Sequence, residues 1–537
     1  MSIPMSRIRP RAGALLCAAL ITLTARASPP AAPSNVIYTS GPKLMNFSWD
    51  IVPRSNYYEL WFKANDGAAP VKFGERKPWD PHWHNGVSSH LLNWSQARWE
   101  IRACNPSGCS STGLIDTGST VVNTVGYVKT QHPVAEARFG SATAVSEDGK
   151  TFAAIASDEP VTEGMAAAVY VFRSKNGIWS QIGRFVPATV PTAGDAEGAS
   201  LSLRADGDRI VVSLPHECGT PPSTVEIGGV HVVDRATNGS WSDSHTFRNP
   251  AGEHIGRFAK ASEAGDVVAY SEDAGGGRIE IWGQSAGTWA RLQEITGGGP
   301  QQHCRFDMSG DGLQLARACE ATFAVEFRNT HTGAGFTSVG PPVPPGHLVG
   351  AVALDYGAHT LEIAIRPRDV AEGDYVAANW MPQVQVYLGS ATSYFELAST
   401  LHPSSLQPTA YAKRSFFGDS LAVSHYGTYV AINDPHDALG RPGVWPPDEL
   451  GGGGGSAPPA GAVYLFERAG AGFRLRRHVG PEAAFDASAE GVFGAPSLGD
   501  NGKTMVIGEP LEDFSASGIG AFHYTPQLEG SGAAWLY

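Results

Sequence analysis

Residues 415–432 read SFFGDSLAVSHYGTYVAI: a phenylalanine-glycine corner, an alternating apolar run, a turn at Gly427, and a second alternating run. Alternation with period two marks strands that bury one face. The glycine supplies the positive φ that a tight hairpin often requires. The phrase is a β-hairpin, and the chain writes it repeatedly.

The same pattern surrounds Gly149 in ARFGSATAVSEDGKTFAAIAS, Gly207 in ASLSLRADGDRIVVSLP and Gly265 in GRFAKASEAGDVVAYSE. It returns at Gly312, Gly357 and, after Gly427, at Gly502, with spacings of 58, 58, 47, 45, 70 and 75 residues. Each unit continues to a third strand, as in AAVYVFRS, GGVHVVDR and GAVYLFER, and most to a fourth, as in WSQIGRFV and WARLQEI. Four strands per unit, repeated at this period, signal a propeller. The last unit reaches GIGAFHYT as its third strand with no comparable fourth, whereas VVNTVGYVKT, residues 121–130, lies one strand ahead of the first unit. That segment is expected to complete the seventh blade and close the ring, which removes open sheet edges. The expected fold is therefore all-β: a seven-bladed β-propeller over 119–537, preceded by a small β-sandwich over 28–118.

Composition agrees with short strands and tight turns. The 537 residues include 64 glycines and 38 prolines, with 42% apolar content. Residues 1–27 carry Arg7, Arg9 and Arg11, an apolar stretch, and Ala25 and Ala27 before Ser28, the pattern of a secretory signal peptide. The expected location is secreted, periplasmic or at the cell surface. No later stretch is long and apolar enough to cross a bilayer as a helix. Without residues 1–27 the chain has 35 basic against 52 acidic side chains, net −17. Such a surface repels nucleic acid and anionic lipid. Cys104 and Cys109, in ACNPSGCS, are close enough for a short-loop disulfide. Cys304 and Cys319 bracket a predicted hairpin and can form a second, for which Cys218 can compete.

Ahead of the repeats, NFSWDIVPRSNYYELWF and WEIRACNPSGCSS alternate through Phe47, Trp49, Tyr58, Leu60, Trp99 and Ile101. Over about 85 residues these stretches resemble a bacterial fibronectin type III domain, which implies a core tryptophan and a module that spaces or presents its neighbour. Within the module, ERKPWDPHWHNGVSSH, residues 75–90, gathers Trp79, His82, Trp83 and His84. These are candidates for an aromatic ligand platform, or for a metal clip if a third ligand joins His82 and His84. The alternative is an inter-strand loop whose tryptophans cover the sandwich edge.

The units RFGSATAVSEDGKTFAAIA, FFGDSLAVSHYGTYVAI and GVFGAPSLGDNGKTMVIGEP resemble the FG-GAP repeats of bacterial exported propellers, related in architecture to the integrin α-subunit head. Members of that family are mostly binding or adhesion proteins, with a minority of enzymes. Related repeats often hold calcium through alternating acids. Here Asp148, Asp206, Asp311 and Asp500 occupy the corresponding turns without the full alternation, so turn formation is the simpler role. Two long inserts occupy matching places between second and third strands. Residues 366–383 carry Tyr375 and Trp380, and residues 433–461 carry Trp445. They are candidate partner contacts. No nucleophile elbow, zinc-protease helix or nucleotide loop is present. The expected function is a non-catalytic protein-binding, adhesion or scaffold protein of the envelope, without a required cofactor. Its partner would be an extracellular protein or surface glycan; the alternative is a propeller enzyme acting on polysaccharide.

Overall fold

The computed structural model describes residues 28–161, 164–186, 198–218, 226–249, 254–272, 278–296, 304–319, 325–338, 347–367, 382–390, 395–403, 416–435, 437, 439, 441–450, 461–481, 493–520 and 525–537. The signal-like residues 1–27 lie outside them.

Residues 28–118 form two antiparallel sheets on one core. Ile37–Gly41, Leu44–Ser48 and His82–Gly86 make one; Val71–Arg76, Tyr57–Lys63, Arg98–Asn105 and Gly108–Ser111 make the other, with Ile115–Asp116 on a flank. Phe47, Trp49, Tyr58, Leu60, Trp83, Trp99 and Ile101 are all buried between them, as the alternating pattern requires. The Cys104–Cys109 disulfide joins paired neighbours at one hairpin.

Beyond this module the described residues form a propeller-like run of small antiparallel sheets. In chain order they cover 139–185 (sheet one), 200–247 (two), 255–295 (three), 304–338 (four), 347–401 (five), 421–480 (six) and 496–536 (seven). Second strands are buried on both faces, as in Thr504–Glu509, and fourth strands are more exposed, as in Trp241–Phe247. The pairing of third with fourth strand shifts register at Val171/Phe172, Val232/Val233, Ile281/Trp282, Val386/Tyr387 and Leu465/Phe466. A bulge at the same place in sheet after sheet raises the local twist in each. Cys304 and Cys319 face each other across the first two strands of sheet four and are bonded, while the buried Cys218 belongs to neither bridge.

The first-to-second-strand hairpins bond to one another in a cycle. Ala205 N donates to Glu263 O (2.7 Å), Glu263 N to Gly310 O (2.7 Å), Asp311 N to Tyr356 O (3.0 Å) and Tyr356 N to His425 O (3.1 Å). Tyr426 N donates to Asn501 Oδ1 (3.3 Å). Asp500 N donates to Glu147 O (2.6 Å), and Asp148 N returns to Ala205 O (3.4 Å). Turn glycines make this approach possible: at Gly207, φ 69°, a Cβ would lie 2.4 Å from Thr151 of the preceding sheet. Sheet five departs from the expected turn. There Ala358, not Gly357, takes the left-handed conformation, φ 53°.

Sheet seven also differs from the sequence expectation. Its third strand is Ala533–Leu536, not GIGAFHYT; Gly126–Val128 pairs beside it, with Trp535 opposite Tyr127. Ile519–Gly520 pairs on the far side of Gly126–Val128. Burial explains the exchange. Ala533, Ala534, Trp535 and Leu536 tolerate an inner position covered on both faces, whereas the half-buried Ile519 and Gly520 suit an edge.

Candidate functional site

Many of the acids in the sheets are already committed. At or just past the ends of second strands stand Glu159, Glu217, Asp437 and Glu512, all buried. Glu159 meets Arg184 at 2.6 Å and accepts from the Tyr170 hydroxyl. Glu217 meets His231 at 2.7 Å and Arg248 at 2.6 Å. Asp437 accepts from the Tyr464 hydroxyl and lies 3.4 Å from His478. Glu512 holds the Lys129 ammonium and accepts from the Tyr127 hydroxyl. Burial opposes charge on His231, yet Asp243 and Glu217 raise it to about 9. These are structural staples between strands. A buried acid beside the last of them, Glu509, accepts from Trp535 Nε1 at 2.6 Å; burial and then Glu512 push it up to about 8. The sequence carries a signal for three of them: Pro-x-acid follows the second strand as Pro215-His216-Glu217, Pro435-His436-Asp437 and Pro510-Leu511-Glu512.

The mouth formed by the hairpin cycle is different. Glu147, Glu263 and Asp500 project around a cavity of about 250 Å³ that runs inward past Lys260 and Asp307. His425 Nδ1 lies 3.0 Å from Glu263 and 3.9 Å from Glu147, bridging hairpins of sheets one, three and six. Burial, with Glu147 adding to it and His425 opposing, holds Glu263 above the usual carboxylate range. Gly310 leaves the space that the Glu263 carboxylate and the Tyr356 ring fill. The Tyr356 ring stacks on His425 at 4.2 Å, and Tyr426 meets the same imidazole edge-on at 4.4 Å. Tyr356 is 39% and Tyr426 66% exposed. From the mouth a groove of about 450 Å³ runs outward over Leu388 and His359 to Arg468. Behind the wall, Glu362 is fully buried with neither oxygen bonded among the described residues; burial, then Asp355 and Asp307, push it well above its ordinary value.

Of the described sequence candidates, Asp500 alone lines the mouth; the others fall elsewhere. Trp79 is exposed, with the Lys77 ammonium 5.2 Å from its ring. Trp83 is core, because 82–86 is a strand paired with Leu44–Ser48 and not a loop. His82 and His84 stack at 6.4 Å, and His84 Nδ1 bonds Asn46 Oδ1 at 2.8 Å. Among the described residues no third ligand joins them; the one ligand-like grouping is Glu59 with the disulfide-bonded Cys104 and Cys109. Asp148, Asp206 and Asp311 accept backbone bonds inside their own turns, from Lys150 (3.0 Å), Asp208 (2.9 Å) and Leu313 (2.9 Å). Asp500 lies at the mouth, 3.4 Å from Lys503. These four acids are not brought together. Tyr375 and Trp380 lie outside the described residues.

Trp445 is drawn into an internal contact. Gly443–Trp445 adds an edge strand to sheet six, and Trp445 Nε1 donates to Pro442 O at 2.8 Å. The same insert turns toward the N-terminal module, where Glu449 accepts from Ser95 (3.0 Å) and Gln96 (3.3 Å). Arg477 donates to Leu91 O and Leu92 O at 3.0 and 3.1 Å. Lys43 donates to Lys503 O and Tyr537 O at 2.8 and 2.7 Å. Burial lowers its ammonium to about 7, against the pull of Asp500. His90 Nε2 donates to Gly502 O at 2.7 Å; burial and then Lys43 bring it down to about 3. The described part of this insert is docked against the N-terminal module through Glu449.

No family model matches the chain, and no curated protein does. Solved structures similar to it include a protein from Lactobacillus plantarum (12% identity, 79% of this chain and 97% of that one, TM-score 0.42). Others are the Cps50 (Swd1) β-propeller domain of Myceliophteria thermophila (10%, 76% and 98%, TM-score 0.45) and Sqt1 of Saccharomyces cerevisiae (11%, 76% and 97%, TM-score 0.42).

Proposed function

We propose that the protein is an exported, non-catalytic binding or scaffold protein of the cell envelope. In this reading a fibronectin type III-like sandwich (28–118) is docked on a seven-bladed FG-GAP-like propeller (119–537). The hairpin cycle and the pairing of Gly126–Val128 with Ala533–Leu536 support the ring. The contact surface in this reading is the hairpin face. One observation carries this: an open groove with two exposed tyrosines lies beside the mouth, while the insert strand Gly443–Trp445 is used internally. Exposed aromatic rings on a rigid platform are efficient anchors for a partner.

The test is retention of crosslinked envelope material from the source organism by the immobilised protein. A specific protein retained by the native chain and lost by the Tyr356→Ala/Tyr426→Ala variant supports the reading. Retention unchanged in that variant removes the face, and progressive shortening of a retained polysaccharide overturns the non-catalytic assignment.

A further inference from the structure

The chemistry of the partner follows from what the mouth lacks. Among the described residues no lysine or arginine forms an ion pair with Glu147 or Glu263; the His425 imidazole lies against both, and Lys260, which also acts on Glu263, is itself held by Asp307 at 3.1 Å. Asp500 adds a third carboxylate, offset by Lys503 at 3.4 Å. Glu147, Glu263, Asp307, Asp355 and Asp500 line the cavity against Lys260 and His425, an excess of carboxylate that attracts a cation. The rings of Tyr356 and Tyr426 stand at the rim, where an aromatic face favours a cation and its aliphatic stem. The surrounding field has the same sign, since residues 119–537 hold 45 acidic against 27 basic side chains.

We infer that the hairpin-face groove takes a single arginine side chain from an extended segment of a partner protein, its head among Glu147, Glu263 and Asp500 and its stem along Tyr356 and Tyr426. A guanidinium fits better than an ammonium. It pairs with carboxylates through two parallel N–H donors and stacks flat on a tyrosine ring. Arg468 at the outer end of the groove repels a second basic residue, so the segment carries one basic residue with neutral or acidic neighbours on that side. This inference rests on the reading that the hairpin face is the contact surface.

The experiment uses the full chain and fluorescein-labelled, acetylated and amidated glycine-serine peptides with one central arginine, lysine, norleucine or glutamate. Fluorescence anisotropy should rank arginine above lysine, with arginine at least about tenfold tighter than norleucine and glutamate weakest. Glu147→Gln/Glu263→Gln, which keeps shape and removes charge, should erase the arginine preference. Tyr356→Ala/Tyr426→Ala should weaken the arginine and lysine peptides together. Equal affinity for arginine and norleucine peptides, including none for either, overturns the inference, as does an arginine preference that survives Glu147→Gln/Glu263→Gln. Envelope retention separates the two levels. Loss in the tyrosine variant with none in the glutamine variant keeps the contact face and removes the arginine site, whereas loss in neither removes both.

Discussion

Glu217 and Glu263 belong to neighbouring sheets and stand 46 positions apart, yet their surroundings are opposite. Glu217 is buried between His231 and Arg248, with both oxygens engaged within 2.7 Å. Glu263 stands at the mouth, where His425 is the only basic side chain paired with it among the described residues. An acid's role here is set by how many cations its strand neighbours supply. Glu217 at the end of a second strand has a histidine and an arginine within 2.7 Å, whereas at the hairpin mouth Glu147 and Glu263 share the single imidazole of His425.

Substitutions can break or sharpen that contrast. Lys129→Met leaves the Glu512 carboxylate buried without its cation and should cost about 3–5 kcal/mol, read as a lower urea midpoint. An unchanged midpoint would mean the staple contributes nothing to closure. The next effect is pH-dependent. Glu509, raised to about 8 from an ordinary value of 4.5, binds a proton in the folded state that the unfolded chain releases. Its contribution is complete below pH 4.5 and disappears as pH rises through 8. Glu509→Gln should therefore gain on the native protein by on the order of 2–4 kcal/mol between pH 5 and 8. Parallel stability curves for the two would refute it. Glu217→Gln should cost about 1–3 kcal/mol, because His231 and Arg248 lose a charged acceptor. At the mouth, Glu147→Gln/Glu263→Gln should shift stability by no more than about 0.5 kcal/mol. A loss as large as that of Glu217→Gln would place these acids among the staples.

Much of the fold was legible because hairpins announce themselves locally. Gly149, Gly207, Gly265, Gly312, Gly427 and Gly502 all take positive φ at the turns their flanking strands predict. Strand order in sheet seven was harder. GIGAFHYT alternates as a third strand should, but Ala533–Leu536, apolar at every position, pairs with the second strand, and of GIGAFHYT only Ile519–Gly520 is described in a pairing, at the sheet edge. The site was mostly illegible. His425 and Tyr426 sit inside the very phrase that reveals the hairpin, but nothing local says that His425 will meet Glu263 from 162 positions away. Trp83 misled for the converse reason. Pro78 and Pro81, just ahead of His82-Trp83-His84, mark a loop by composition, while register with Leu44–Ser48 makes 82–86 a strand.

Gly126–Val128 has a kinetic consequence. It is made early, before sheets one to six, but its partners arrive hundreds of residues later; Lys129 and Ser531 are 402 positions apart. Closing so long a loop costs entropy before any bond compensates, so this pairing is expected to be the slow step of refolding. Until it completes, the inner edges of sheet seven are exposed to any other strand in reach. Dilute refolding should favour closure, and crowded refolding should favour exchange of these strands between copies.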